Sequence, residues 1–262
     1  MGPGRIETDA PAAGVHRIRI VDPDHRGALS AEVLDGLMRA LAGVPDGTRC
    51  LLLASCGDAF SAGYDIRALG TPPDVEQAAR TIAPDDVELF AALERQPLPA
   101  VAALNGPAFG GGLELALACD LRIAARSATL GAPAGRLGLV YSPGGLERLA
   151  RELPAGVMAE LFLAGTTVTA ERAHALGLVC EVVADADLES ASVALSADVA
   201  GLAPGSARAH RAALRALRED GSLSDEARAR LARARAAGLA SSDFAEGIAA
   251  FREHRPPRFT GT

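Results

Sequence analysis

Polar and apolar residues alternate through Val15-His16-Arg17-Ile18-Arg19-Ile20, which predicts a half-buried strand. Val33, Leu34, Leu37, Met38 and Leu41 then recur at helical spacing, with Ser30 placed to cap a helix. The pattern repeats down the chain. Residues 50–54 form a continuous apolar run and read as a buried strand, residues 86–94 read as a helix before Pro97, and residues 101–104 supply the next buried strand. The run 113–119 is too short for its period to decide, but the glycines ahead of it favour a helix start; residues 121–125 and 128–130 read as strands. Strands alternating with helices predict an α/β core. Near Gly201 the pattern changes: residues 206–219 and 225–239 are rich in Ala, Arg, Leu and Glu with apolar residues at helical intervals, so the remaining chain is predicted to be helical. We therefore divide the chain into a core, 1–200, and a helical region, 201–262, within one functional unit. Such amphipathic helices serve either as a solvated bundle face or as a subunit contact.

Composition narrows the function. The chain has 262 residues and a net charge of −7, so it has no global field that attracts nucleic acid or anionic lipid. Cys50, Cys56, Cys119 and Cys180 are scattered singly, with neither zinc spacing nor a disulfide framework, and are read as reduced core residues. The five histidines show no metal or triad spacing. The first residues lack the basic and apolar stretches of a secretory signal, and no apolar run is long enough to cross a membrane, which predicts a cytoplasmic protein.

Candidate chemistry gathers in two segments, Ala59-Phe60-Ser61-Ala62-Gly63-Tyr64-Asp65-Ile66 and Asn105-Gly106-Pro107-Ala108-Phe109-Gly110-Gly111-Gly112-Leu113-Glu114. Glycine lets a backbone approach a ligand closely and leaves its N–H uncovered. Amides that open a helix suit an oxyanion, although a triple glycine alone is as readily a close-packed turn. Neither GxGxxG with a ribose-binding acid nor a phosphate loop is present. Ser61 lacks the setting of a nucleophile elbow. Glu114 lies on a mostly apolar helical segment, where a carboxylate is costly unless paired or functional.

Together, in this order and spacing, the two segments resemble the signatures of the crotonase superfamily, the enoyl-CoA hydratase/isomerase family. The likeness begins at Arg26-Gly27-Ala28-Leu29-Ser30, continues through Leu137-Gly138-Leu139 and Pro143-Gly144-Gly145, and resumes in residues 169–179 and in the tail Phe251-Arg252-Glu253-His254-Arg255. It implies a spiral of ββα units with a C-terminal helical trimerisation region, and assembly as a homotrimer or homohexamer. It also implies an acyl-CoA thioester as ligand, with coenzyme A entering as part of the substrate and no separate cofactor or metal. By matching motif positions, the oxyanion donors are the backbone amides of Tyr64 and Gly111. Ala28, Ala62 and Ile66 match the adenine pocket, Asp65 a loop-ordering residue, and Phe251 and His254 the tail positions near coenzyme A, with Arg255 and Arg258 as further basic candidates.

Hydratases of the family use two glutamates around one water. The first matches Glu114; at the second, the turn reads Leu130-Gly131-Ala132-Pro133-Ala134, so Ala134 occupies the acid's position. Alanine transfers no proton, and losing one positioned acid/base costs roughly 10² to 10⁴ in rate. Simple hydration is weakened by this, and double-bond isomerisation more so. Tyr141, Ser142 and Glu147 are the candidate residues to substitute, each with a bland reading as a turn or solvated helix residue, beside a bound water or a bound small anion. The expectation is a hydratase-like lyase of acyl-CoA and fatty acid metabolism with Glu114 as acid/base. The alternatives are a catalytically weak acyl-CoA-binding paralogue, or another crotonase-type reaction such as C–C bond formation or cleavage or thioester hydrolysis.

Overall fold

The structure is a computed structural model and describes residues 4–69, 74, 76–78 and 88–262. Strands β1 (Arg5–Ala12) and β2 (Val15–Val21) open the chain as an antiparallel pair. Helix α1 (Ala31–Ala42) crosses over to β3 (Cys50–Ser55), and Ser30 Oγ accepts the Val33 amide at 3.4 Å, the cap that the sequence predicts. Helix α2 (Glu88–Arg95) leads to β4 (Ala100–Leu104), and the short β5 (Ala108–Phe109) to helix α3 (Gly111–Leu117). Next come β6 (Leu121–Ala125), β7 (Thr129–Gly131) and a 3-10 turn over Pro133–Leu137. Helices α4 (Pro143–Glu152) and α5 (Ala155–Phe162), strand β8 (Thr167–Thr169), helix α6 (Ala170–Ala175), strand β9 (Glu181–Val183) and helix α7 (Leu188–Ala200) follow. The tail carries α8 (Pro204–Asp220), α9 (Asp225–Leu239) and α10 (Ser242–Arg252).

Six strands form one sheet in the order β1-β2-β3-β4-β6-β9, parallel except for β1, while β5-β7-β8 form a second. Both faces of the large sheet are covered. Ile18, Ile20, Leu51 and Leu53 pack with Val33 and Leu37 of α1 and Leu89, Phe90 and Leu93 of α2, whereas Leu52, Val101 and Ile123 face α7 on the other side. Burial on both faces is why β3 reads as an unbroken apolar run instead of an alternation.

The helical tail is tied to this core by charge. Arg211 of α8 donates to Asp120 at 2.7 Å and to the backbone carbonyls of Leu93 and Glu94 at 3.2 and 3.0 Å, a cation set against the C-terminal end of α2. Beyond α10 the chain turns back on itself. Glu246 accepts both terminal nitrogens of Arg255, at 2.6 and 2.9 Å, and the Arg258 amide at 2.7 Å. Asp243 accepts the amides of Thr260 and Gly261, and Arg49 donates to the Phe259 carbonyl at 2.9 Å.

Several expectations are corrected. Strand β1 has no counterpart in the sequence reading, because an edge strand with mostly exposed side chains carries no alternation to detect. Residues 86 and 87 of the expected helix lie outside the described residues; α2 accounts for the rest. The tail is not helical to its end, since helix stops at Arg252. Cys50 and Cys119 are buried, and burial pushes each thiol up to about 12, but Cys56 is half-buried and Cys180 exposed. Cys56 directly follows β3 and Cys180 directly precedes β9, so each sits at a strand end and an apolar sequence neighbourhood does not bury it.

Candidate active site

Two backbone turns meet where the glycine-rich segments come together. Ser61, fully buried, donates to the Gly27 carbonyl at 2.7 Å and accepts the Gly63 amide at 3.2 Å, which bends the first segment. The Phe109 amide donates to the Ser61 carbonyl at 2.9 Å and laces the second segment onto the first. Gly63 has φ +89°, and a Cβ there would stand 2.6 Å from the Phe109 carbonyl oxygen and 3.3 Å from the Gly111 nitrogen. Backbone therefore packs on backbone, and only glycine fits. Gly111 is the first residue of α3, so its N–H has no partner within the helix. Among the described residues, neither the Tyr64 nor the Gly111 amide donates to another group of the chain. Two adjacent open donors are what a carbonyl gaining negative charge requires. A Cβ on Gly111 would stand 2.9 Å from the Tyr64 ring, so the glycine also seats that side chain.

Glu114, one turn further along α3, is 4 % exposed. The Tyr141 hydroxyl donates to its Oε1 at 2.7 Å, and Arg148 Nε lies 3.4 Å from its Oε2. Arg148, on α4, donates to Glu94 at 2.7 Å and stacks its guanidinium 4.9 Å from the Phe90 ring centroid, both partners belonging to α2. Burial raises the Glu114 carboxyl above the ordinary carboxylate range, opposed by the Tyr141 hydrogen bond and the Arg148 charge. Burial, together with the Glu114 charge, also holds the Tyr64 and Tyr141 phenols above their usual range. Both tyrosines of the chain thus flank the one buried carboxylate of this wall, each as a neutral phenol.

Of the three candidates for the absent acid, the structure brings only Tyr141 to Glu114. Ser142 accepts the Gly145 amide at 3.2 Å as the cap of α4, and Glu147 is exposed. The phase of α4 explains this: Gly145 and Leu149 face inward one turn apart, Arg148 shares that side and Glu147 points away. Ala134 is buried in the 3-10 turn, 6 % exposed. Ala28 is buried next to Leu29, which bridges to Tyr64, while Ala62 and Ile66 are exposed on the same loop. Asp65 accepts the Arg67 amide at 3.0 Å and pairs with its guanidinium at 2.6 Å, ordering the turn Ile66–Ala68. Phe251, 81 % exposed, and His254, exposed with φ 53°, lie on the tail surface. Arg255 is committed to Glu246 and Glu253. Arg148, Glu94 and Phe90 were not among the site residues expected from the sequence; the signal that could have found them was an arginine in phase with the buried face of α4.

Residues 11–262 match the enoyl-CoA hydratase/isomerase family. The chain belongs to that family. It is 35 % identical over 258 residues to enoyl-CoA hydratase domain-containing protein 2, mitochondrial, of Mus musculus, covering 96 % of this chain and 86 % of that one. The crystal structure of an enoyl-CoA hydratase from Bacillus anthracis superposes with a TM-score of 0.87 at 30 % identity, covering 98 % of this chain and 100 % of the other. That of an enoyl-CoA hydratase from Mycobacterium tuberculosis H37Rv gives 0.81 at 32 % identity, covering 98 % and 99 %. The α/β architecture with its helical C-terminal region is therefore that of the enoyl-CoA hydratase/isomerase family. Among the described residues, no helix is long and apolar enough to cross a membrane.

Proposed function

We propose that this family member binds an acyl-CoA thioester and performs hydratase-like, lyase chemistry on it, with Glu114 as acid/base and the Tyr64 and Gly111 amides holding the thioester oxygen. The observation that carries this reading is the Tyr141–Glu114 hydrogen bond of 2.7 Å beside two open amides. Ala134 leaves the second acid's place empty of proton chemistry, and Tyr141 fills the role from later in the chain. Water bound to the Glu114 carboxylate loses a proton to it as the hydroxyl oxygen bonds to Cβ of the enoyl group. The π electrons move to the thioester oxygen as an enolate, stabilised by the two amides; each such donor is worth roughly 10² to 10³ in rate. Tyr141 then gives its proton to Cα and recovers one from the protonated Glu114, so proton and charge balance with no other reactant.

Coenzyme A enters as part of the substrate, and the scheme uses no other cofactor. Ala28, Ala62 and Ile66 line the adenine side in this reading, on a loop ordered by Asp65, and Phe251 and His254 approach from a tail. The exposed Phe244, Ile248 and Phe251 on α10 fit a homotrimer or homohexamer in which they are covered. Residues 1–200 serve as the acyl-CoA-binding core and 201–262 as the assembling region of a cytoplasmic protein.

A second reading, thioester binding with weak turnover, is favoured by one observation: both carboxylate oxygens of Glu114 already have a partner. Hydration of crotonyl-CoA and of a long-chain enoyl-CoA, set beside calorimetric binding of each thioester and its free acid, separates the two. Turnover with thioester binding well above that of the acid supports the first reading. Binding without turnover supports the second, and equal affinity for thioester and acid removes both.

A further inference from the structure

We propose that Arg148 is a positioning residue for Glu114: it anchors Oε2 from α4 and leaves Oε1, the oxygen that Tyr141 touches, as the working edge of the carboxylate. The inference rests on Glu114 being the acid/base, and it begins from geometry. Arg148 Nε is buried, lies 3.4 Å from Oε2 and has no hydrogen-bond partner among the described residues, so the contact is an ion pair without hydrogen-bond alignment. What holds the guanidinium there lies on its far side, in the 2.7 Å bond to Glu94 and the Phe90 ring. Glu94 in turn lies 3.8 Å from Arg215 of α8. A chain of alternating charge, Glu114, Arg148, Glu94, Arg215, thus runs from the reacting carboxylate to the helical tail.

This arrangement constrains the chemistry. A buried glutamate has several rotamers, and a base must present one lone pair to one place. With Oε2 held by a charge and Oε1 by a phenol, rotation of the carboxyl group breaks both contacts at once. Among the described residues, the groups that face Glu114 are Tyr64 from the first glycine-rich loop, Tyr141 and Arg148 from α4 and the segment before it, and Glu94 from α2. Only one of them is a cation. Arg148 opposes the rise that burial imposes on Glu114, and Glu94 adds to that rise.

Opposite signs make the test decisive. Arg148→Met removes the cation and should raise the Glu114 pKa further. Glu94→Gln removes the second anion while keeping the arginine, and should lower it. Arg148→Lys keeps a charge without the planar fork and should fall between wild type and Arg148→Met. The readout is carboxyl titration by isotope-edited infrared spectroscopy, with Glu114→Gln as the subtraction, joined to the acid limb of the kcat profile. The titration needs no turnover, so an inactive wild type would defeat the functional reading while leaving this one measurable. Shifts of opposite sign for Arg148→Met and Glu94→Gln support the assignment. Shifts of the same sign, or none in folded variants, overturn it. Should Arg148→Met fail to fold, Glu94→Gln and Arg148→Lys decide: a fall and a rise confirm it, and an unmoved Glu114 ends it.

Discussion

Glu114 and Glu246 are the same residue type, each within reach of an arginine, yet their carboxyl groups move in opposite directions. Glu246 sits at the surface of α10, where the Arg255 fork and the Arg258 amide bind it directly and hold it down at about 2. Glu114 is enclosed by α3, α4 and the glycine-rich loops, its cation stands off at 3.4 Å, and burial prevails. The lesson concerns water more than charge. A carboxylate at the surface that gains hydrogen bonds gives up only part of its hydration, whereas a buried one must be repaid for nearly all of it. The first arrangement fastens a tail; in the proposed function the second keeps a base reactive, since a carboxylate with raised pKa binds a proton more strongly.

The largest expected effect sets the two sites furthest apart. Glu114→Gln should lower enoyl-CoA hydration by roughly 10² to 10⁴ while leaving calorimetric acyl-CoA binding in place. Retained turnover would show that the buried acid is structural and collapse the contrast. Next is the oxyanion side. Gly111→Pro deletes the amide, but any Cβ at 111 also meets the Tyr64 ring at 2.9 Å. Gly111→Ala, which keeps the donor and meets the same ring, is therefore its control. Gly111→Pro should be slower than Gly111→Ala by about 10² to 10³ in kcat; equal rates would move the donor elsewhere.

Tyr141→Phe should cost about 10² in hydration with little change in substrate binding, at the low end of what one acid/base supplies. Adding Ala134→Glu to that variant should recover part of the loss, measured in the same assay. No recovery from a folded double variant that binds acyl-CoA would deny that phenol and carboxyl are interchangeable at this wall.

The smallest effect is in stability against pH, where the signs differ. The folded-state pKa of Glu246 lies below the ordinary value of about 4.3, so its contribution is present above that value and is lost as pH falls toward about 2. The folded-state pKa of Glu114 is raised, so its burial is tolerated best when protonated, and stability drains as pH rises through the raised value. Thermal melts of Glu246→Gln and Glu114→Gln across pH should differ from wild type on opposite sides: the first gap closes in acid and the second opens toward neutral pH.

How much of this was legible beforehand followed from what each feature depends on. Gly63 and Gly111 were visible because a backbone requirement leaves glycine in the sequence whatever surrounds it. Helix α1 announced its cap at Ser30, and β3 its two-sided burial. Strand β1 did not, because its exposed faces carry polar and apolar residues alike. Tyr141 appeared as one of three candidates, and nothing short of the fold chooses among them, since its meeting with Glu114 joins segments with α3, two strands and a turn between them. Arg148 was passed over for the adjacent Glu147, the more obvious acid, on the wrong side of α4. Charge type suggested the chemistry; helix phase decided which residue of α4 faces Glu114.

The contact between the glycine-rich loops bears on how such a protein changes over evolutionary time. Gly63 meets the Phe109 carbonyl backbone to backbone, so the proposed grip on a thioester oxygen would be written in main chain. The opposite wall is written in the side chains of Ala134, Tyr141 and Arg148. Single-codon changes can rewrite the second wall while the first stays as it is. A lineage can therefore exchange one reaction for another without ever releasing its substrate, and a designer who wants a new activity has those three positions to vary first.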